Sequence, residues 1–337
     1  MNIAHVYASN AKSNSGDYML GLATKWYFKT NILKQTDVEF IDFDCRNNKL
    51  FNNQNIDKLN KYDYILVGGG GLILPDSAPN KTSGWQWNIS KSNLQKINKP
   101  IYVVSIGCNL FFNQEMNMPD RYSNKIDASL INIFKDNITQ LINQSAYFTM
   151  RHHGDIRKFL TIVGEEYKDK IKFQHCPCVD YVKIKWSPKM ITSSKKYIAV
   201  EIKDDREWRR YYKIGKDTYY NKLMKFVQLC LDNKKDICYL SHDGSKNFYN
   251  FLKSKNINLP LLDCSTGNEM DILNKYSQIH TILCSAGHSQ MFSYALDIRT
   301  ISMITHPKLQ YFCEDFNLLN DAINVNQNMD KLFEINL

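Results

Sequence analysis

Arg151-His152-His153-Gly154-Asp155 follows a short apolar run and sets a guanidinium beside two imidazoles. An arginine at the carboxyl end of a strand suits bidentate recognition of a phosphate or carboxylate, and an imidazole suits proton transfer near neutral pH. Adjacent side chains on extended backbone point to opposite faces, so His152 and His153 do not read as a two-histidine metal site. A third imidazole stands in Cys284-Ser285-Ala286-Gly287-His288-Ser289-Gln290, between an apolar run and a helix-period segment. His288 then falls at a helix N-terminus, where the dipole disfavours the imidazolium and attracts an anion, while Ser285 and Ser289 are placed to cap that helix or to hold the anion. Thr305-His306-Pro307-Lys308 follows the next apolar run and puts Lys308 either within reach of a phosphate or in a solvated loop.

Two glycine-bearing segments add candidate anion cradles. Ser13-Asn14-Ser15-Gly16-Asp17 precedes a helix expected over 18–28, and small polar residues with free amides at a helix start suit a carboxylate or phosphate. Ser15 or Asp17 acting as a plain helix cap is the structural alternative. Further on, Tyr62-Asp63-Tyr64-Ile65-Leu66-Val67 runs into Gly68, Gly69, Gly70 and Gly71, then Leu72-Ile73-Leu74-Pro75. A strand entering consecutive glycines can bend sharply and expose bare amides to a ligand, or can pack closely against a neighbour. No Gly-x-Gly-x-x-Gly fingerprint opens a helix here. The loop carrying Glu201, Lys203, Asp204, Asp205 and Arg206, and the segment Ser241-His242-Asp243, read equally as polar loops or as parts of a site.

The elements that must position these residues alternate strand-like runs with helix-period segments, the pattern of an α/β protein with parallel sheets. Strands are expected over 3–8, 38–43, 64–67, 101–106 and 147–150, with a helix over 130–142 whose apolar residues Leu130, Ile131, Phe134, Ile138, Leu141 and Ile142 recur at helical spacing. After a polar stretch over 183–196, a second series places strands over 197–202, 237–240, 281–284 and 300–304 and a helix over 221–231. The simplest assembly is two Rossmann-like domains, 1–185 and 186–337, facing a cleft at the carboxyl ends of their strands.

Composition narrows the class. At 337 residues and 43% apolar, the chain can fill two cores. Residues 1–8 lack the layout of a signal peptide, and no run approaches the ~20 apolar residues that span a bilayer, so a cytoplasmic protein is expected, peripheral if its substrate is membrane-borne. Nine cysteines without a Cys-x-x-Cys pair argue against a disulfide framework or a structural zinc site, and Cys176-Pro177-Cys178 reads as coincidence, so no metal is expected. The net charge of +9 suits an anionic ligand or surface, and its spread along the chain speaks against nucleic acid.

Taken in order, Gly16-Asp17, the strand into Gly68 to Gly71, Ser105-Ile106-Gly107, Met150-Arg151, Cys178-Val179-Asp180 and His288 leading to Lys308 resemble the polysaccharide pyruvyl transferase family over about 300 residues. The resemblance implies a glycosyltransferase-B-like fold and transfer of the enolpyruvyl group of phosphoenolpyruvate onto two hydroxyls of a sugar in surface polysaccharide assembly. It needs no cofactor beyond phosphoenolpyruvate as co-substrate, and its acceptor is a glycan or a lipid- or nucleotide-linked sugar. It makes 1–185 the acceptor side and 186–337 the donor side, and leaves open that the segment from Tyr311 packs back on the first domain. His288 and Arg151 become the catalytic candidates; Lys308, Arg206, Ser285 and Ser289 the donor or anion ligands; Gly16, Asp17, Gly69, Gly70, Gly71, His152 and His153 the acceptor or loop residues. Two positions depart from the family: Ala286-Gly287 stands where it carries Arg-Leu before the histidine, and His152 where an aspartate follows the first arginine, so either Arg206, Arg209 or another residue supplies the missing cation, or the donor is a different one. A glycosyltransferase using a nucleotide sugar is the competing enzyme, with Trp85, Trp87 and Tyr211-Tyr212 available for stacking. A non-catalytic glycan- or phosphate-binding relative is the third reading.

Overall fold

Short β-branched and aliphatic runs make strands that can be buried on both faces, and in the computed structural model they form two all-parallel sheets of six strands each. The structure describes residues 1–9, 14–73, 81–114, 128–187, 195–265 and 267–335. The first sheet comprises β1 (Asn2–Tyr7), β2 (Glu39–Asp44), β3 (Tyr64–Ile73), β4 (Ile101–Cys108), β5 (Ser145–Met150) and β6 (Lys172–Phe173), in the order β2-β1-β3-β4-β5-β6. With it go α1 (Ser15–Tyr27), α2 (Lys91–Gln95), α3 (Ala128–Gln144) and α4 (His153–Val163). On α3, Phe134, Ile138, Leu141 and Ile142 are buried, which is the face its spacing predicts, and they share a core with Val67, Val103, Phe148 and Phe159.

The second sheet comprises β7 (Tyr197–Glu201), β8 (Ile237–Ser241), β9 (Leu261–Asp263), β10 (Ile279–Cys284), β11 (Arg299–Ile304) and β12 (Ala322–Asn324), in the order β12-β11-β10-β7-β8-β9. Its helices are α5 (Pro177–Lys185), α6 (Glu207–Arg210), α7 (Lys216–Asp232), α8 (Asn247–Ser254), α9 (Glu269–Tyr276), α10 (Gly287–Ala295) and α11 (Pro307–Asp315). Val200, Leu223, Phe226, Tyr239, Leu283 and Met303 are among its core residues.

The chain divides into one unit of Met1–Ala11 with Leu20–Pro177 and another of Lys12–Met19 with Cys178–Leu337. This differs from the expected boundary at 185/186. The reason is α5 and the turn after it: Tyr181 Oη and Trp186 Nε1 both donate to Glu269 Oε1, at 3.0 and 2.7 Å, which ties them to α9 of the second unit. Part of the stretch read as a linker, 188–194, lies outside the described residues. The end of the chain also differs from the open expectation. Met329 and Leu332 are buried in the second unit's own core, and Lys222 on α7 pairs with Asp330, so the segment after Tyr311 stays with that unit. No helix among the described residues is long and apolar enough to cross a membrane.

The four glycines do not form a turn after a strand. They lie inside β3, where Gly68 and Gly70 have φ of 119° and 97°. A Cβ on Gly68 would lie 2.3 Å from the Val104 carbonyl oxygen, and one on Gly70 would lie 2.8 Å from Leu20 Cδ2. The Gly69 amide is not left for an anion either, since it donates to Thr24 Oγ1 at 3.3 Å, and the Gly68 carbonyl accepts from His5 Nε2 at 2.5 Å. Close packing is therefore what these glycines provide, at least from Gly68 to Gly70. Leu74 and Pro75 lie outside the described residues.

Candidate functional site

In the second sheet the chain leaves β7 for β8 on one side and returns as β10 on the other. Strand order reverses at that point, and in open parallel sheets the crevice outside the carboxyl ends there is where ligands bind. Glu201 ends β7, and its Oε2 accepts from Ser285 N at 3.1 Å and Ala286 N at 2.9 Å. Ser285 Oγ in turn accepts from Lys203 N at 2.6 Å. The two strand ends are thus bolted together beneath the start of α10. Burial pushes the Glu201 carboxyl up to about 7, only partly offset by the two amides and by Lys203 and Arg210.

α10 opens at Ala286 without a side-chain cap, so the amides of Gly287, His288 and Ser289 carry the unpaired first-turn donors of any helix start. Ser289 itself is fully buried. The next helix supplies a cation: Pro307 begins α11, and His306 caps it by accepting from Lys308 N through Nδ1 at 3.2 Å. The Lys308 side chain then runs over Gly287, whose absent Cβ would sit 3.5 Å from Lys308 Cε. A helix N-terminus with a lysine drawn across it is an arrangement that attracts a phosphate.

Beside this head lies a chamber of two imidazoles. His242, just after β8, is 2% exposed, and its ring centroid is 6.2 Å from that of His288. Its Nδ1 lies 3.0 Å from Tyr276 Oη, while Nε2 of each histidine is buried without a hydrogen-bond partner among the described residues. Burial, with His288 and Lys203 adding to it, holds His242 well below the ordinary imidazole value, so it is neutral. Ser15 Oγ donates to the His242 carbonyl at 2.5 Å, and this fixes Gly16 against both rings. A Cβ on Gly16 would fall 2.0 Å from His288 Nδ1 and 2.8 Å from His242 Nε2. Cys178 Sγ lies within 4.8 Å of a His288 ring nitrogen and belongs to the same wall. The helix begins three residues earlier than expected, because Asn14 Oδ1 accepts from both Gly16 N and Asp17 N; Asp17 therefore sits in the first turn and does not cap it. Ser13 lies outside the described residues.

The arginines after β7 divide their roles. Arg206 has left-handed backbone, φ 55°, and its guanidinium lies 3.8 Å from Asp205 Oδ2. Arg209 is buried. Arg210 is fully buried and donates to Asp205 Oδ1 at 2.7 Å, to the Asp205 carbonyl at 2.8 Å and to Thr305 Oγ1 at 3.0 Å, which staples the β7 loop to the end of β11. Against the opposing effect of burial, Arg210, Lys203 and Lys308 hold the Asp205 carboxyl well below the usual range.

The first unit holds its own cluster at the carboxyl ends of β4 and β5. Arg151 is 4% exposed, donates to Asn109 Oδ1 at 2.5 Å and pairs with the fully buried Asp155 at 3.4 Å. The guanidinium lies over Gly107, where a Cβ would meet it at 2.3 Å, and the Asn109 amide lies over Gly71 in the same way. His152 is buried at the start of α4, whereas His153 is exposed and stacks on Phe173 with centroids 4.0 Å apart. One imidazole is thus buried and the other exposed, with His153 already in the first turn of α4.

Asn109, Asp155 and Tyr276 are not among the site candidates of the sequence, and Glu201 and His242 read there equally as loop or site. Only the position of Glu201 and His242 at strand ends pointed to them. Of the aromatic residues offered for stacking, three are structural: Trp85 and Trp87 are 1% and 0% exposed and meet edge to face at 6.1 Å, and Tyr211 is 2% exposed with its hydroxyl donating to Asp204; Tyr212 is 38% exposed.

No family model and no curated protein matches the chain. Among solved structures, the UDP-GlcNAc 2-epimerase of Methanocaldococcus jannaschii, in complex with UDP-GlcNAc and UDP, matches with a TM-score of 0.53 at 13% identity, over 99% of this chain and 92% of that one. MnaA of S. aureus, in a structure with UDP, matches with a TM-score of 0.51 at 11% identity, over 99% and 86%. At such identities the likeness establishes the fold, which is α/β with two parallel six-stranded sheets of the glycosyltransferase-B type.

Proposed function

We propose that the chain is an enzyme that takes a nucleotide sugar as donor and holds the donor's phosphates at the head of α10. The observation that carries this is the uncapped N-terminus of α10, bolted by Glu201 at the point where strand order reverses and crossed by Lys308. Two solved structures of the same fold described with UDP lend support. In this reading the second unit is the donor side and the first the acceptor side. The amides of Gly287, His288 and Ser289 accept the charge that develops on the leaving phosphate oxygen as the bond to the sugar breaks, and Lys308 neutralises it. His288, next to that oxygen, is the group that moves a proton.

A second reading, transfer of the enolpyruvyl group of phosphoenolpyruvate, uses the same helix head for phosphate. It is favoured by the packing of Gly71 and Gly107 against Asn109 and Arg151, since two of the glycine motifs on which the family resemblance rests have a physical reason in this chain. A thermal-shift panel of UDP-GlcNAc, other nucleotide sugars and phosphoenolpyruvate separates the two, because a ligand that binds only the folded state raises the melting temperature. Stabilisation by a nucleotide sugar alone supports the first reading, and stabilisation by phosphoenolpyruvate alone replaces it with the second. Stabilisation by neither refutes the phosphate site.

A further inference from the structure

On the first unit, α4, the turn 165–170 and β6 line an open surface cavity of about 480 Å³. That volume is within the ~300–1,000 Å³ of sites for small organic ligands. Ile156, Leu160, Ile171 and Phe173 make its walls, and the lining cations are Arg157, Lys168 and Lys172 against the single carboxylate of Asp169. The His153 ring stacks on Phe173, and both line the cavity. Arg157, Lys168 and Lys172 are exposed, whereas Leu160 and Ile171 are buried, so the cations stand at the rim and the apolar groups form the floor.

From this separation of charge and apolar surface we infer that the cavity binds an amphiphilic anion, an alkyl or prenyl chain bearing a phosphate. A free phosphate ion would use the rim and leave the floor wetted, and a neutral amphiphile would use the floor and leave Lys168 and Lys172 with only the carboxylate of Asp169 beside them. Only a molecule with both parts matches both surfaces. Long cationic side chains reach a headgroup at the mouth of such a site while their methylenes cover its wall. The inference is independent of the donor at α10.

The full chain, with isoleucine and leucine methyl groups labelled, is titrated below the micelle concentration with octyl phosphate, and in parallel with inorganic phosphate and octyl glucoside. Octyl phosphate is expected to shift the methyl signals of Ile156, Leu160 and Ile171 and to bind at least tenfold tighter than either control. In Lys168→Glu/Lys172→Glu, both exposed positions, the affinity should fall at least tenfold with the circular dichroism unchanged. Ile156→Ser should lose octyl phosphate while keeping the weak response to inorganic phosphate. Equal binding of inorganic phosphate or of octyl glucoside, undiminished binding by the double lysine variant, or no shift at those methyl groups would each overturn the inference.

Discussion

Gly16→Ala is the sharpest probe of the imidazole chamber, because two effects of opposite sign meet at one atom. Alanine is favoured over glycine in a helix by ~1 kcal/mol, so on propensity alone the variant should be more stable. Its Cβ, however, would stand 2.0 Å from His288 Nδ1, 2.6 Å from His288 Cγ and 2.8 Å from His242 Nε2. Ordinary contact needs about 3.5 Å, so the His288 ring must retreat by roughly 1.5 Å and that of His242 by roughly 0.7 Å. Overpacking of this kind costs ~1–3 kcal/mol, which exceeds the helix gain. The net expectation is a melting temperature lower by a few degrees. Function suffers more, because a misplacement of ~1 Å at a reacting group can cost ~100-fold in rate. Nitrogen-15 shifts of the two imidazoles, read with the melting curve and donor turnover, make the assay. A variant with wild-type melting temperature, imidazole shifts and turnover would refute the packing argument and the chamber together.

Other perturbations test the remaining parts. Glu201 titrates at about 7 when folded against 4.5 in the open chain, so it binds more protons folded than unfolded between those values. Its stabilising contribution is complete below pH 4.5 and is lost as pH rises to about 7, by at most about 3 kcal/mol; Glu201→Gln should abolish that slope in denaturant melts across pH 4 to 8. Arg151→Ala should destabilise by ~3–5 kcal/mol because it strands the buried Asp155, and removing Asp155 as well should recover part of the loss in urea titrations. Lys308→Ala should weaken calorimetric binding of the donor by at least about tenfold, the worth of one charge-assisted contact.

Much of the fold could be read from apolar runs, because a strand buried on both faces must be apolar throughout and a helix on a sheet must be apolar on one side. β1, β4, β7, β10 and β11 and the buried face of α3 follow from that rule. The edge strands β6, β9 and β12 do not, since they are two or three residues long and pair on one side only. The site was legible in part. His288 and Lys308 stand at strand ends next to helix starts, a position that spacing reveals. Tyr276 ends α9 and reaches His242 only through the fold, and no local pattern marks Glu201 as the clamp on α10. The glycines of β3 show the limit from the other side: their spacing suggested an anion cradle, whereas the carbonyl of Val104 and the side chain of Leu20 require the missing Cβ atoms.

The nine cysteines are all buried and none is in a disulfide, with Cys45, Cys108 and Cys176 in the first unit and the other six in the second. Burial pushes several of their thiols up, Cys108 and Cys238 to about 12, so they are protonated and shielded from alkylating reagents in the folded protein. The chain thereby carries its own clock for opening. Under pulse alkylation, each thiol is modified only when its neighbourhood unfolds, and the order in which the two sets react gives the relative lifetimes of the two units without any added label.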